Sequence, residues 1–313
     1  MSVDKGITRK DFLVSLFAKL NFFYRDVDLL IIEYDDQREW KGRTSAIWTE
    51  CENPTAIISY QQNIYVATYR NESLLMCFNT NGKVLKQLNL GNRWIRSIDV
   101  DEKTGLLYIA TRNSISTQSL LNFHHYTHWH IPVASSLGPG KVKVNNGICY
   151  LSMPDKNQVL LCQLENGELL EKIGTGQGQE KGQFDRPLGM TLNNKCLYVC
   201  DSWNQRIQIF DKKSRKFSHQ WGENNIKQQR FFLPISIYYH HDENTFFVGE
   251  CYSVQIFTED GTFIQQIRGW ENEKDLFNEI DDSCIIGTDL CVLHDQLYVV
   301  DRRNDRIRIF NKS

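Results

Sequence analysis

The densest run of metal-ligand side chains is Phe123-His124-His125-Tyr126-Thr127-His128-Trp129-His130. In an extended chain side chains alternate sides, so His124, His128 and His130 share a face that imidazole ligation could use. Nine cysteines lie at 51, 77, 149, 162, 196, 200, 251, 284 and 291. No two have C-x-x-C spacing, and Cys196 and Cys200 are four apart in a strand-like stretch, so a finger-type zinc site lacks its framework. A scattered, odd set reads as reduced, mostly buried thiols of a cytoplasmic protein. No Ser-His-Asp set or nucleophile elbow is found, so no catalytic residue is assigned. What remains is arginine beside aromatic rings: Tyr69-Arg70, Arg93-Trp94, Arg230-Phe231-Phe232, with Trp203, Tyr252 and Arg302-Arg303. Such pairs suit protein hot spots or stacked single-stranded bases.

The elements that position these residues follow from a repeat. A compact β-prone run recurs six times: Ile64-Tyr65-Val66-Ala67, Leu107-Tyr108-Ile109-Ala110, Cys149-Tyr150-Leu151-Ser152, Leu197-Tyr198-Val199-Cys200, Phe246-Phe247-Val248-Gly249 and Leu297-Tyr298-Val299-Val300. The aromatic positions are spaced by 43, 42, 48, 49 and 51 residues. In most units a second strand follows, as in Ile207-Gln208-Ile209-Phe210, then a turn such as Asn81-Gly82, Asn166-Gly167 or Asp260-Gly261, then a further strand. An inner strand precedes each run, entered through Pro or Gly at Pro54, Gly140, Pro187, Pro234 and Gly287. Four antiparallel strands per unit of 40–50 residues predict an all-β fold, a six-bladed β-propeller over 37–313. Each unit is too small to bury its own faces, so the blades must stack in a ring.

The sixth unit stops after its third strand, and Trp40–Trp48 can supply the fourth beside Arg306–Phe310. Otherwise buried backbone N–H and C=O groups would lack partners, at about 1–3 kcal/mol each. Residues 1–36 break the β rhythm. Phe12, Leu16, Leu20 and Phe23 recur at helical spacing, and Asp26–Tyr34 permits a second short helix or, through its Leu/Ile run, a strand; a helical N-terminal extension is expected.

Gly182-Gln183-Phe184, Pro187-Leu188-Gly189, Tyr198-Val199-Cys200-Asp201 and Asn204-Gln205-Arg206-Ile207-Gln208-Ile209-Phe210 together resemble the NHL-repeat β-propeller family. Tyr298-Val299-Val300-Asp301 with Asn304-Asp305-Arg306-Ile307-Arg308-Ile309-Phe310 resembles it again. In the other four units the aspartate gives way to Thr68, Thr111, Met153 or Glu250, and the Asn-x-Arg is absent. The repetition marks Asp201, Asn204 and Arg206 as turn-fixing residues of blade architecture.

The resemblance implies a binding platform, since related domains bind RNA or proteins through one face. It also raises a metal-dependent peptidyl-hydroxyglycine lyase, which needs ligands converging on the axis. The inner strands offer Asp99, Lys143 and Asp289 but no His, so neither metal nor cofactor is expected. NHL domains occur in tripartite-motif ubiquitin ligases, whose RING and B-box have no counterpart in this sequence. The N-terminal helices resemble an F-box-like motif, which would make the protein a substrate-recognition component in ubiquitin ligation.

In a propeller, the loops from second to third strands and the connections between blades share one face. That face is expected to carry Tyr69, Arg70, Arg112, Lys156, Trp203, Tyr252, Arg302 and Arg303, joined by Arg93, Trp94 and Arg230. A protein partner is the first expectation and single-stranded RNA the second, for a monomer that is not membrane-bound. The 36 Lys and Arg against 38 Asp and Glu argue against non-specific coating of nucleic acid. No apolar run reaches 18 residues, the length a spanning helix needs. Residues 181–230 carry ten Lys or Arg against four acids, whereas 271–300 carry one Lys against eight. This asymmetry places any RNA footprint in blades four and five.

Overall fold

A computed structural model describes Trp40 and residues 44–120, 125–222, 231–250, 253–267 and 289–312. The expected N-terminal helices and His124 lie outside the described residues. The described chain forms six four-stranded antiparallel sheets. Blade one contains β2 (Pro54–Tyr60), β3 (Asn63–Tyr69), β4 (Ser73–Asn79) and β5 (Val84–Asn89). Blade two contains β6 (Ser97–Asp101), β7 (Leu106–Ala110), β8 (Ser114–Ser119) and β9 (His125–His130). Blade three contains β10 (Val142–Asn145), β11 (Ile148–Met153), β12 (Gln158–Gln163) and β13 (Leu169–Ile173). Blade four contains β14 (Pro187–Leu192), β15 (Cys196–Asp201), β16 (Arg206–Asp211) and β17 (Phe217–Trp221). Blade five contains β18 (Ser236–His240), β19 (Thr245–Gly249), β20 (Val254–Thr258) and β21 (Phe263–Ile267). Blade six contains β22 (Leu290–Leu293), β23 (Gln296–Asp301), β24 (Arg306–Asn311) and, from the other end of the domain, β1 (Ala46–Trp48).

The inner strands touch in the order β2, β6, β10, β14, β18, β22 and back to β2, which closes the ring. Period-two alternation explains why the aromatic runs are apolar on both sides. Along β3, Ile64 and Val66 pack toward blade six while Tyr65 and Ala67 pack toward blade two. Among the described residues the core divides into six clusters, each shared by two neighbouring blades. In the closing blade Ala46 pairs with Ile309, Ile47 with Arg308 and Trp48 with Ile307, and Trp40 bridges to Lys312.

A second device couples neighbouring blades. The indoles of Trp48, Trp129 and Trp221, each on an outer strand, lie against Gly82, Gly167 and Gly261 in the hairpin of the next blade. All three glycines have positive φ, and a Cβ there would collide with the ring. The hairpin glycines therefore serve two ends: they make the turn, and they leave room for the neighbour's tryptophan.

Candidate functional site

The β15–β16 crossover shows how the blade face is built. Ser202–Asn204 form a 3-10 turn closed by Gln205 in the left-handed region. Asp201 is buried beneath it. Its Oδ1 accepts a hydrogen bond from the Asp185 amide at 2.7 Å, and its Oδ2 accepts from Asn204 at 2.9 Å, Arg206 at 2.7 Å and Gln208 at 2.9 Å. Arg206 then donates to the carbonyls of Gln179, Glu180 and Gln183. The motif fastens the glycine-rich segment that leads into blade four, as well as its own turn. In blade six, Asp301 accepts from Asn304, Arg306 and Arg308. Burial pushes the Asp301 carboxyl up, but the hydrogen bonds from two guanidiniums and an amide outweigh it and hold the group below its usual range.

Two units that lack the motif in sequence retain its function in space. Glu250 accepts from the Phe232 amide at 2.7 Å, Ser253 at 2.8 Å and Gln255 at 3.0 Å, and so holds the chain leading into blade five. Asp155 accepts from Ser135 at 2.7 Å and the Ser136 amide at 2.8 Å, and so holds the chain leading into blade three. Among the described residues no guanidinium pairs with Glu250, and burial drives its carboxyl above the usual range. A raised folded-state pKa adds stability below the unfolded value, and that stability is lost as pH rises through the folded value. The melting temperature is thus expected to fall as pH rises from 4 to 8 in a thermal-denaturation series, and Glu250→Gln to flatten that dependence while lowering the melting temperature at pH 4, because its NH2 cannot accept from the donors that meet Glu250.

The face itself gathers part of the expected set. Trp94 is 44% exposed and stacks on Tyr69, with centroids 5.8 Å apart and planes 5° apart. Arg302 lies over Trp94 at 5.8 Å and donates to Asn53 at 2.6 Å. Arg96, which no sequence motif marks, lies over the same ring at 5.4 Å. Period two could have found it: Ile95 is buried, so Trp94 and Arg96 share the opposite side. Arg93 and Arg112 are exposed. Arg70 pairs with Glu52 at 2.5 Å, a surface ion pair of small energetic consequence. Lys156 is exposed, 3.9 Å from Asp155. Trp203 is half-buried under Arg186 at 5.3 Å, away from the Trp94 stack. Arg303 is the middle residue of a second 3-10 turn, Arg302–Asn304. Arg230 and Tyr252 lie outside the described residues.

One expectation needs correction. Phe231 does not join the exposed face. It is 2% exposed, packs on Phe257 at 5.3 Å and fills the space over Gly222. The cation–aromatic patch around Trp94 spans blades one, two and six. In the basic 181–230 segment Arg206 pairs with Asp201, Arg215 pairs with Glu171, and Lys212 donates to Asn145 and the Asn193 carbonyl.

Around the axis the ionic groups face each other. Lys143 meets Asp99 at 2.6 Å, and Lys141 reaches from blade three across to Asp289 of blade six at 2.6 Å. Above that pair is a cavity of about 40 Å³, lined by Thr55, Arg96, Ser97, Lys141, Ser236 and Asp289 among others. It holds a few waters and is far below the roughly 300 Å³ of a small-molecule site. His128 and His130 are exposed on outer strand β9 with rings 5.2 Å apart, and among the described residues no three His, Cys, Asp or Glu groups converge as metal ligands.

The family model for the NHL repeat matches residues 184–210. These span the linker phenylalanine, β14, β15, the Asp201 turn and most of β16. Protein brain tumor of Drosophila melanogaster is 31% identical over 93 residues. That alignment covers 28% of this chain and 9% of the fly protein, so the chain spans a small part of that relative. The computationally designed Ika8 protein aligns over 82% of this chain and 70% of its own, at 6% identity and a TM-score of 0.49.

Proposed function

From the premise that this chain is an NHL-repeat β-propeller, we propose that it is a non-enzymatic binding scaffold whose Trp94 face takes up a protein partner. The observation that carries the reading is the exposed Tyr69–Trp94 stack under two guanidiniums, Arg96 and Arg302. A large exposed ring costs free energy in water, and rings flanked by arginine are the residues that dominate protein interfaces. The axis supports a non-catalytic role, because its lysines and aspartates are spent on each other. Among the described residues no helix is long and apolar enough to cross a membrane.

Single-stranded RNA is the second reading, favoured by the same parallel stack, since bases also seat on aromatic rings beside arginine. Salt dependence separates the two. A protein interface loses affinity mainly on Trp94→Ala and responds weakly to salt. An RNA interface loses about one unit of log–log salt slope on Arg302→Ala. Binding that neither substitution alters would refute the assignment of this face.

A further inference from the structure

Across the axis, opposite blades are joined unequally. Blades three and six are bridged by Lys141 and Asp289, both oxygens of Asp289 accepting from the ammonium at 2.6 and 2.7 Å. Blades two and five place Arg96 and Ser236 on the same cavity. Ser236 is 3% exposed and its Oγ makes no hydrogen bond. Among the described residues no carboxylate stands within ion-pair distance of Arg96. Burial, with the like charges of Arg302 and Arg112, pulls the Arg96 guanidinium down to about 10, so it stays charged at neutral pH. A buried hydroxyl without a partner and a half-buried cation without an anion each cost free energy, and one small oxyanion between them satisfies both.

We infer that this cavity is a seat for a single carboxylate, delivered by an acidic side chain of the protein partner that docks on the Trp94 face. The inference rests on the reading of that face given above. Three observations select the occupant. The volume, about 40 Å³, admits a carboxyl group and excludes a base. The ionisable lining is Arg96, Lys141 and Asp289, a net charge of +1 that one monoanion cancels. A phosphodiester carries a sugar on either side of its charge, which a space of about 40 Å³ does not hold, whereas a carboxylate rides at the end of one stem.

The test uses acetate as the probe. In the full chain, the Arg96 Nε–Hε resonance, assigned by its loss in Arg96→Gln, is followed by NMR against acetate, chloride at matched ionic strength, and inorganic phosphate at pH 8. Saturation by acetate with a dissociation constant on the order of 10–100 mM is expected. Chloride should give no saturable shift, and the phosphate dianion should bind more weakly because Asp289 walls the site. Ser236→Asp, which tethers a carboxylate inside, should abolish the acetate response. A peptide-display selection on the wild type should enrich one acidic position, with about tenfold loss of affinity in Arg96→Gln.

An acetate response equal to that of chloride overturns the inference, leaving the cavity to water. So does enrichment without an acid, or enrichment that survives Arg96→Gln. Binding of a uridine decamer that Arg96→Gln abolishes, with no acidic peptide enriched, overturns it in favour of a phosphodiester. If the seat fails while Trp94→Ala still abolishes partner binding, the face stands and the seat alone falls.

Discussion

Trp48→Ala is expected to cost about 3–5 kcal/mol, lowering the melting temperature by roughly 6–10 °C. Trp48 sits on the three-residue strand that closes the ring, and it is 6% exposed. Its ring stacks on Phe78 of blade one at 5.0 Å and tilts against Tyr298 of blade six at 5.2 Å. It also covers Gly82, so truncation opens a cavity between the first and last blades that backbone cannot fill. Ile47, its neighbour in sequence, is 45% exposed, and Ile47→Ser should move stability by less than about 0.5 kcal/mol. Chemical denaturation of the pair separates a buried seam from a loosely laid strand. Equal and small effects would mean that the N-terminal strand is dispensable.

Asp201→Ala should be comparably damaging, by about 3–5 kcal/mol, for a different reason. Removing the carboxylate leaves Arg206, itself 7% exposed, as a buried cation facing only carbonyl oxygens. It also frees the Asp185 amide at the start of blade four. Hydrogen exchange should therefore rise first in the segment around 176–185, well before the blade strands. The double variant Asp201→Ala with Arg206→Met should recover much of the loss, because the uncompensated charge is gone. A double variant as unstable as the single one would show that the ion pair is not the source of the cost.

Much of this architecture is legible in the sequence, because the aromatic runs must be buried on both faces and therefore stand out at a regular period. The strand that closes the ring is legible for the same reason: a sixth unit short of one strand leaves hydrogen-bonding groups to be matched. Glu250 and Asp155 are less legible. Each reaches the same class of backbone target, one with a longer side chain and one from two positions beyond Met153, so a pattern written in residue identities misses them. Phe231 could have been placed. Gly174 with Phe184 and Gly222 with Phe231 repeat at spacings of ten and nine residues, and each ring caps its glycine. Arg96 acquires its setting only when the ring closes and brings Arg302 of blade six beside blade two, a neighbourhood no local window contains.

Recruitment of a protein by the Trp94 face is open to direct test. Its most direct measurement is quantitative affinity purification from cells with the wild type and Trp94→Ala side by side, each with and without RNase. A set of proteins retained by the wild type after RNase and depleted about tenfold by Trp94→Ala is expected. A protein set that Trp94→Ala retains in full, or that RNase releases entirely, would contradict it.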